Sequence, residues 1–74
     1  MSTVYVELVD EATICWRPVV ATWIGWNHFR LGGPVPDTEV WAFQPGDVVA
    51  CCPQLLRQRG LDWRPALVAY KRVA

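Results

Sequence analysis

Apolar and polar residues alternate along several short stretches of the chain, with the period of two that is typical of β-strands. In residues 3–9 every second residue is a valine or a leucine, and β-branched residues, which favour strands, are frequent there. Residues 14–24 form a second extended stretch that contains Pro18. Because proline has no backbone N–H, we expect Pro18 to lie at a sheet edge, a bulge or a bend.

Turn-forming residues divide the middle of the chain. Residues 25–28, Gly-Trp-Asn-His, predict a hairpin connection, since glycine and asparagine tolerate positive φ. Residues 28–31 would be the short return strand. Residues 32–38 contain two glycines and two prolines, which exclude a helix and predict an irregular loop.

A second hairpin is predicted around Pro45 and Gly46. Proline followed by glycine at the two central positions is typical of a type II turn, because proline fixes a negative φ and glycine accepts a positive one. The flanking segments, residues 39–43 and 48–52, are apolar enough to be its two strands.

The last third of the chain begins with a proline and reaches a glycine at residue 60. A proline at the start and a glycine at the end favour one or two helical turns over residues 53–60. Residues 61–65 are expected to be irregular because of Pro65, and residues 66–73 to form a final strand. The chain is therefore predicted to be one all-β domain, a small barrel of five or six strands with one short helical turn.

The middle of the sequence resembles a group of short bacterial proteins that share the pattern WRPV…EVWxFxPGxVV. The matching segments are Cys-Trp-Arg-Pro-Val at residues 15–19 and Glu-Val-Trp-Ala-Phe-Gln-Pro-Gly-Asp-Val-Val at residues 39–49. The resemblance covers about residues 4–52 and implies an SH3-like barrel; it implies no activity. Residues 54–65 depart from the pattern.

The composition predicts a binding surface. Hydrophobic residues make up 53% of the chain and five of the 74 residues are tryptophan, which is more apolar area than a small monomer easily hides. Tryptophan is also enriched at interface hot spots. We expect a protein partner or self-association as a homodimer, through a surface composed of Trp23, Trp26, Arg30 and Trp41. In the alternative, Trp16 and Trp41 are core residues and only Trp26 is exposed.

The charges are unevenly distributed although they cancel. Residues 1–56 carry two arginines and six acidic residues, whereas residues 57–74 carry five basic residues and one acidic residue. In the alternative, basic residues and the aromatic rings of Trp23, Trp26 and Tyr70 form a site for single-stranded nucleic acid. The basic residues are Arg57, Arg59, Arg64, Lys71 and Arg72. Zero net charge argues against that alternative. Pairing of the basic third with the acidic part inside one barrel is the simpler expectation.

Neither a metal site nor a catalytic site is expected. Cys51 and Cys52 are adjacent, so that in a strand they point to opposite faces and do not chelate one ion together. The single histidine, His28, has no spacing that brings it to a nucleophile. No cofactor is implied. Three cysteines without a secretory signal predict a cytoplasmic protein, and the apolar runs are too short to span a membrane.

Overall fold

The computed structural model describes residues 1–57, except for the side chain of residue 57, and residues 63–74. Five β-strands close into a barrel in the order β1-β2-β3-β4-β5. The strands are β1 (Ser2–Leu8), β2 (Cys15–Gly25), β3 (His28–Leu31), β4 (Val48–Arg57) and β5 (Trp63–Arg72). Successive strands pair antiparallel, and the barrel closes where Tyr5 of β1 pairs in parallel with Val68 of β5. The predicted all-β, SH3-like barrel is confirmed.

The core is formed by one face of each strand. Val4 and Val6 of β1 are fully buried, as the alternation in residues 3–9 predicted. They pack with Val49 of β4 and with other small and medium-sized side chains of the remaining strands. Trp41, in the loop before β4, belongs to the same cluster and is 5% exposed.

The segment 39–43, predicted as a strand, is not one. Only an isolated bridge joins Trp41 to Leu8 at the end of β1, supported by backbone hydrogen bonds from Val9 N to Val40 O and from Ala42 N to Glu7 O. β4 instead pairs with β3 and β5. Sequence pattern alone could not choose between these partners, because both segments are short and both contain apolar residues that a strand could bury.

The turn inside that predicted hairpin is confirmed. Gly46 has a φ of 91°, and Asp47 N donates to Gln44 O at 3.0 Å, the bond that closes a four-residue turn. The turn leads from the long loop into β4. Here the local chemistry of Pro45 and Gly46 decided the structure, independently of which strands lie on either side.

The helical turn predicted for residues 53–60 is wrong over residues 53–57, which continue β4 and pair with β5; residues 58–60 lie outside the described part. Residues 63–65, expected to be irregular, begin β5, while residues 61–62 are not described. Pairing between the two strands satisfies the backbone groups of both, which outweighs the weak local preference of Pro53 and Pro65.

Three prolines occupy strands, and each faces an open edge. Gly32 N donates to Val20 O, so Val20 and, two residues away, Pro18 direct their backbone groups away from β1. Cys51 N donates to Asn27 O, so Cys51 and Pro53 likewise face away from β5; Pro65, which is paired with Leu55, faces away from β4. The prediction that Pro18 lies at an edge is confirmed, since β3 pairs with β2 only from Ala21 onward.

Candidate binding surface

The β2–β3 hairpin ends in a two-residue turn that presents Trp26. Gly25 has a φ of 129° and Trp26 a φ of 51°, so the second positive φ lies at Trp26 rather than at Asn27, the residue for which it was predicted. A positive φ is rare for a bulky residue and costs free energy. The Trp26 side chain is nevertheless 91% exposed and gains little from burial.

Trp23 supports this turn. Its strand position is opposite Phe29, a core residue, but Trp23 is near the end of the hairpin and is 59% exposed. Its indole Nε1 donates a hydrogen bond of 2.6 Å to the carbonyl oxygen of Trp26. This bond fixes one ring beside the turn that carries the other, so that the two tryptophans form a preorganised pair.

Asn27 attaches the same turn to the opposite strands. Its carbonyl oxygen accepts a hydrogen bond of 2.8 Å from Cys51 N, and its Nδ2 donates to the Tyr70 hydroxyl at 3.3 Å. Tyr70 lies at the β-bulge where the β4–β5 register shifts, and it is 52% exposed. We name Trp23, Trp26 and Tyr70, with Asn27 between them, the aromatic tip.

Tyr70 was not predicted as part of the protein-binding surface. The sequence analysis named it only as one of the aromatic rings that could bind nucleic acid. The reason is the bulge: Ala50 pairs with Lys71 whereas Cys51 pairs with Ala69. Tyr70 therefore has no direct partner in the ladder. Such an irregularity is specified by packing between distant strands, and nothing in the sequence around Tyr70 indicates it.

Arg30 and Trp41, the other two residues of the predicted surface, do not lie with Trp23 and Trp26. Arg30 is exposed on β3, but it follows Phe29, so its side chain points to the other face of the sheet from Phe29 and Trp23. Trp41 is buried. The prediction of an exposed Trp41 is therefore wrong. Of the alternative, the burial of Trp41 is confirmed, but Trp16 is only partly buried, and Trp23 and Trp63 are exposed as well as Trp26.

Trp41 is held by an ion pair. Its Nε1 donates to Glu39 Oε1 at 3.1 Å, and Arg17 binds both oxygens of the same carboxylate, with Arg17 Nε donating to Oε1 at 2.9 Å. These hydrogen bonds, first from Arg17 and then from Trp41, lower the pKa of Glu39. The arrangement closes one end of the barrel, and it explains the burial of Trp41 without any ligand.

A shallow groove of about 230 Å³ lies beside this ion pair, between the first half of β2 and the loop that follows β3. Its walls include Arg17, Pro18 and Pro34, with Trp41 among the lining residues. Gly32 is required there, because a Cβ at this position would lie 2.9 Å from Val20 O. Few backbone groups at this edge of β2 can pair with an added strand. Pro18 has no N–H, and Val20 O already accepts a hydrogen bond from Gly32 N.

The basic residues of the last third do not form one described cluster. Arg64, Lys71 and Arg72 are exposed on β5; Arg59 and the side chain of Arg57 lie outside the described part. Within residues 1–57 and 63–74 the recorded ion pair is Arg17 with Glu39. The expected pairing of Arg64, Lys71 and Arg72 with acidic residues of the barrel is therefore wrong.

The cysteines are free thiols in different environments. Cys51 is a core residue, whereas Cys15 and Cys52 are partly exposed. Burial, together with the neighbouring Cys52, raises the pKa of Cys51 to about 11, so Cys51 is a poor nucleophile. Among the described residues no group of three or more histidine, cysteine or acidic side chains is placed to hold a metal ion.

Comparisons with known proteins add no assignment: no family model, curated protein or solved structure matches the chain. The part of the chain described here contains no helix long and apolar enough to cross a membrane.

Proposed function

We propose that this protein is a small, non-catalytic interaction module that binds a protein partner through the aromatic tip. The observation that carries the proposal is Trp26: a large apolar ring, 91% exposed, on a backbone with a φ of 51°. A residue in that conformation costs stability, and burial of this ring recovers almost none of it because the ring is exposed. Contact of the ring with another molecule would offset this cost.

The surroundings of Trp26 support the same proposal. The hydrogen bonds from Trp23 to the Trp26 carbonyl and from Asn27 to Tyr70 restrict the turn before binding, and this reduces the entropy that a complex must lose. Rigid aromatic side chains with an adjacent polar group are typical of interface hot spots. The partner is expected to offer an apolar pocket or a proline-rich segment to these rings.

Binding by side chains is favoured over addition of a strand. The open edges of the sheet carry Pro18, Pro53 and Pro65, each with its missing N–H directed outward. Proline at an edge is a known protection against pairing with another strand.

We place the protein in a reducing cytoplasm, since its three described cysteines are all free.

The test compares capture by matched variants. Wild-type protein, Trp26→Ser and Ile14→Ser would be immobilised; Ile14 is 74% exposed and serves as the apolar control outside the tip. A specific partner should be retained by the wild type and by Ile14→Ser, and lost with Trp26→Ser. Calorimetry with that purified partner should show binding at least ~30-fold weaker for Trp26→Ser. Equal affinity of all three proteins would exclude the aromatic tip as the binding surface.

A second candidate, binding of single-stranded nucleic acid, is favoured by one observation. The exposed Trp63 and Tyr70 are each followed by basic residues without a recorded ion pair, Arg64 after the first and Lys71 and Arg72 after the second. Fluorescence anisotropy with a labelled oligonucleotide at about 50 mM salt is the test. Binding that weakens steeply with salt and is lost in Arg64→Ser/Lys71→Ser would support this candidate, and absence of binding would exclude it.

A further inference from the structure

Strands β2 to β5 contain basic residues but no acidic ones. Of the seven acidic residues of the chain, Glu7 lies in β1, Asp62 lies outside the described part, and the others lie in loops. The zero net charge of the chain therefore conceals an excess of positive charge on these strands. The cationic residues of the four strands are Arg17, Arg30, Arg57, Arg64, Lys71 and Arg72.

Two of these residues and a histidine lie together on the outer face of β3, β4 and β5. Val49 is a core residue, so the next residue, Ala50, projects to the outer face. Ala50 pairs with His28 on one side and with Lys71 on the other, and directly paired residues share a face. Arg30, two residues after His28, lies on the same face. We name His28, Arg30 and Lys71 the basic patch.

The basic patch surrounds a floor of small side chains. Ala50 is 3% exposed, and Val48, which pairs with Arg30, is 8% exposed, although both lie on the outer face and outside the core cluster. The longer side chains around them therefore lie over this floor. Tyr70 contributes, because its hydroxyl reaches across β4 to Asn27. Since Tyr70 belongs to the aromatic tip, the tip and the patch form one continuous surface.

The charges of the basic patch are not neutralised by neighbouring side chains. In the part of the chain that the structure describes, no recorded hydrogen bond or ion pair involves the side chain of Arg30 or of Lys71. Asp47, the residue before β4, uses its carboxylate to accept a hydrogen bond of 2.9 Å from Gln44 N. The patch therefore presents two full positive charges, and the imidazole of His28 can donate a further hydrogen bond.

We propose that the partner bound at the aromatic tip also presents an acidic segment, whose carboxylates bind the basic patch. This inference rests on the function proposed above and defines the partner further. The guanidinium of Arg30 offers paired N–H donors that match a carboxylate, and the ammonium of Lys71 adds a second charge. β3 and β5 lie roughly 10 Å apart across β4, a span that about three extended residues cover. The acidic residues should therefore occur within about three residues of the apolar residue that contacts the tip.

The arrangement of the charges favours a protein segment over nucleic acid. Asn27 precedes His28 and Tyr70 precedes Lys71 in the chain, so an apolar residue and a few carboxylates can bind side by side. A nucleic-acid strand instead needs a positively charged groove that follows its backbone. Along β5 no basic residue occurs between Arg64 and Lys71, a separation of roughly 23 Å. The zero net charge also gives little long-range attraction to a polyanion.

Selection from a library of random peptides by the immobilised whole chain tests the proposal. Peptides retained by the wild type should carry Asp or Glu within about three residues of an apolar residue or a proline. A selected peptide should bind at least ~5-fold more weakly to Arg30→Glu and to Lys71→Glu, because each replaces attraction by repulsion. Arg64→Glu makes the same change of charge farther along β5, well beyond the screening length, and should leave the affinity unchanged.

Circular dichroism of each variant establishes that it is folded, and a second measurement needs no variant. Hexaglutamate added to isotope-labelled wild-type protein at low salt should shift the backbone amide resonances of residues 28, 30, 50 and 71. The resonances of residues 10 and 11, in an acidic loop, should not move. Added salt should reverse the shifts, because it screens the attraction.

Several outcomes would overturn the proposal. Selected peptides without acidic residues, or hexaglutamate without effect on the patch resonances, would do so. A loss of affinity with Arg64→Glu as large as that with Lys71→Glu would show attraction by the overall charge instead of the patch. An oligonucleotide that binds more tightly than any selected peptide, and is lost with Arg64→Glu, would favour nucleic acid.

The variants also separate this inference from the function on which it rests. Peptide binding that is lost with Trp26→Ser but unaffected by Arg30→Glu and Lys71→Glu would overturn the acidic segment and leave the aromatic tip as the binding surface. Binding that is lost with both charge substitutions but unaffected by Trp26→Ser would overturn the proposed function, and with it the claim that one segment binds tip and patch together.

Discussion

Replacement of Trp26 by glycine and by alanine separates the cost of its backbone from the use of its side chain. Both substitutions remove the indole, which is 91% exposed and so contributes little burial. They differ in the backbone: a left-handed conformation costs an L-residue about 1–2 kcal/mol, whereas glycine escapes this cost but loses about 0.4–1 kcal/mol through its freer unfolded chain. At a φ of 51°, Trp26→Gly should therefore be more stable than Trp26→Ala by about 0.8 kcal/mol, the difference between the midpoints of these two ranges.

Urea denaturation followed by circular dichroism measures this difference, and thermal unfolding should show the glycine variant melting about 2–8 °C higher. Gln54, an exposed residue in the middle of β4, is the control position. There glycine should be less stable than alanine by about 0.5–1 kcal/mol, because the strand backbone offers glycine no advantage. Equal stability of Trp26→Gly and Trp26→Ala, or a more stable alanine variant, would refute the claim that Trp26 is held in a strained conformation. Loss of partner binding, in contrast, should be the same for both.

Three further results are expected. Because Arg17 lowers the pKa of Glu39 in the folded protein, the ion pair stabilises the fold above the ordinary value of 4.5 and this contribution is lost as pH falls below it; Glu39→Gln should therefore be less stable than wild type at neutral pH, with a smaller further loss on acidification, as followed by urea unfolding. If Glu39→Gln loses as much stability on acidification as the wild type, the ion pair of Glu39 does not stabilise the fold in this way. A thiol reagent at mildly alkaline pH should label Cys15 and Cys52 in the native protein and Cys51 only after denaturation, since Cys51 is buried with a pKa of about 11. Rapid labelling of all three cysteines in the native protein would contradict the placement of Cys51 in the core. Gly46→Ala should lose about 1 kcal/mol from the positive φ alone, because a Cβ there meets no atom within 4 Å, and a neutral outcome in thermal unfolding would contradict the type II turn.

The sequence predicted the parts of the fold that local chemistry controls. Alternation in residues 3–9 identified the buried face of β1, and Pro45 followed by Gly46 identified the turn before β4. The strand His28–Leu31 was predicted with its observed bounds. Each of these depends on a few adjacent residues, so that no distant contact is needed to specify it.

The errors concern choices made by distant contacts. Residues 39–43 have the composition of a strand. Trp41 instead packs into the end of the barrel, where Glu39 accepts hydrogen bonds from both Trp41 and Arg17. Residues 53–57 have a proline start typical of a helix, yet pairing with β5 extends β4 through them. In both cases tertiary interactions outweighed local propensity.

The candidate site was predicted only in part, because some of its residues are brought together by local chemistry and others by distant contacts. Trp23 and Trp26 were identified because a hairpin turn places its flanking residues together. Tyr70 joins them through a bulge forty-three residues after Asn27, to which it is hydrogen-bonded, and Arg30 is separated from them by strand alternation. The resemblance to short bacterial proteins remains a prediction, as does their relation to this chain.

The relative exposure of four tryptophans, Trp23, Trp26, Trp41 and Trp63, is the measurement that tests the account most directly. Fluorine NMR of fluorotryptophan-labelled protein, at a dilution where the chain is a monomer, would record the broadening of each resonance by a soluble paramagnetic agent. The account predicts the strongest effect at Trp26, intermediate effects at Trp23 and Trp63, and the weakest at Trp41, in the order of their exposures of 91%, 59%, 63% and 5%. Protection of Trp26 and Trp23 to the level of Trp41 would contradict it, because no aromatic surface would then be left for a partner.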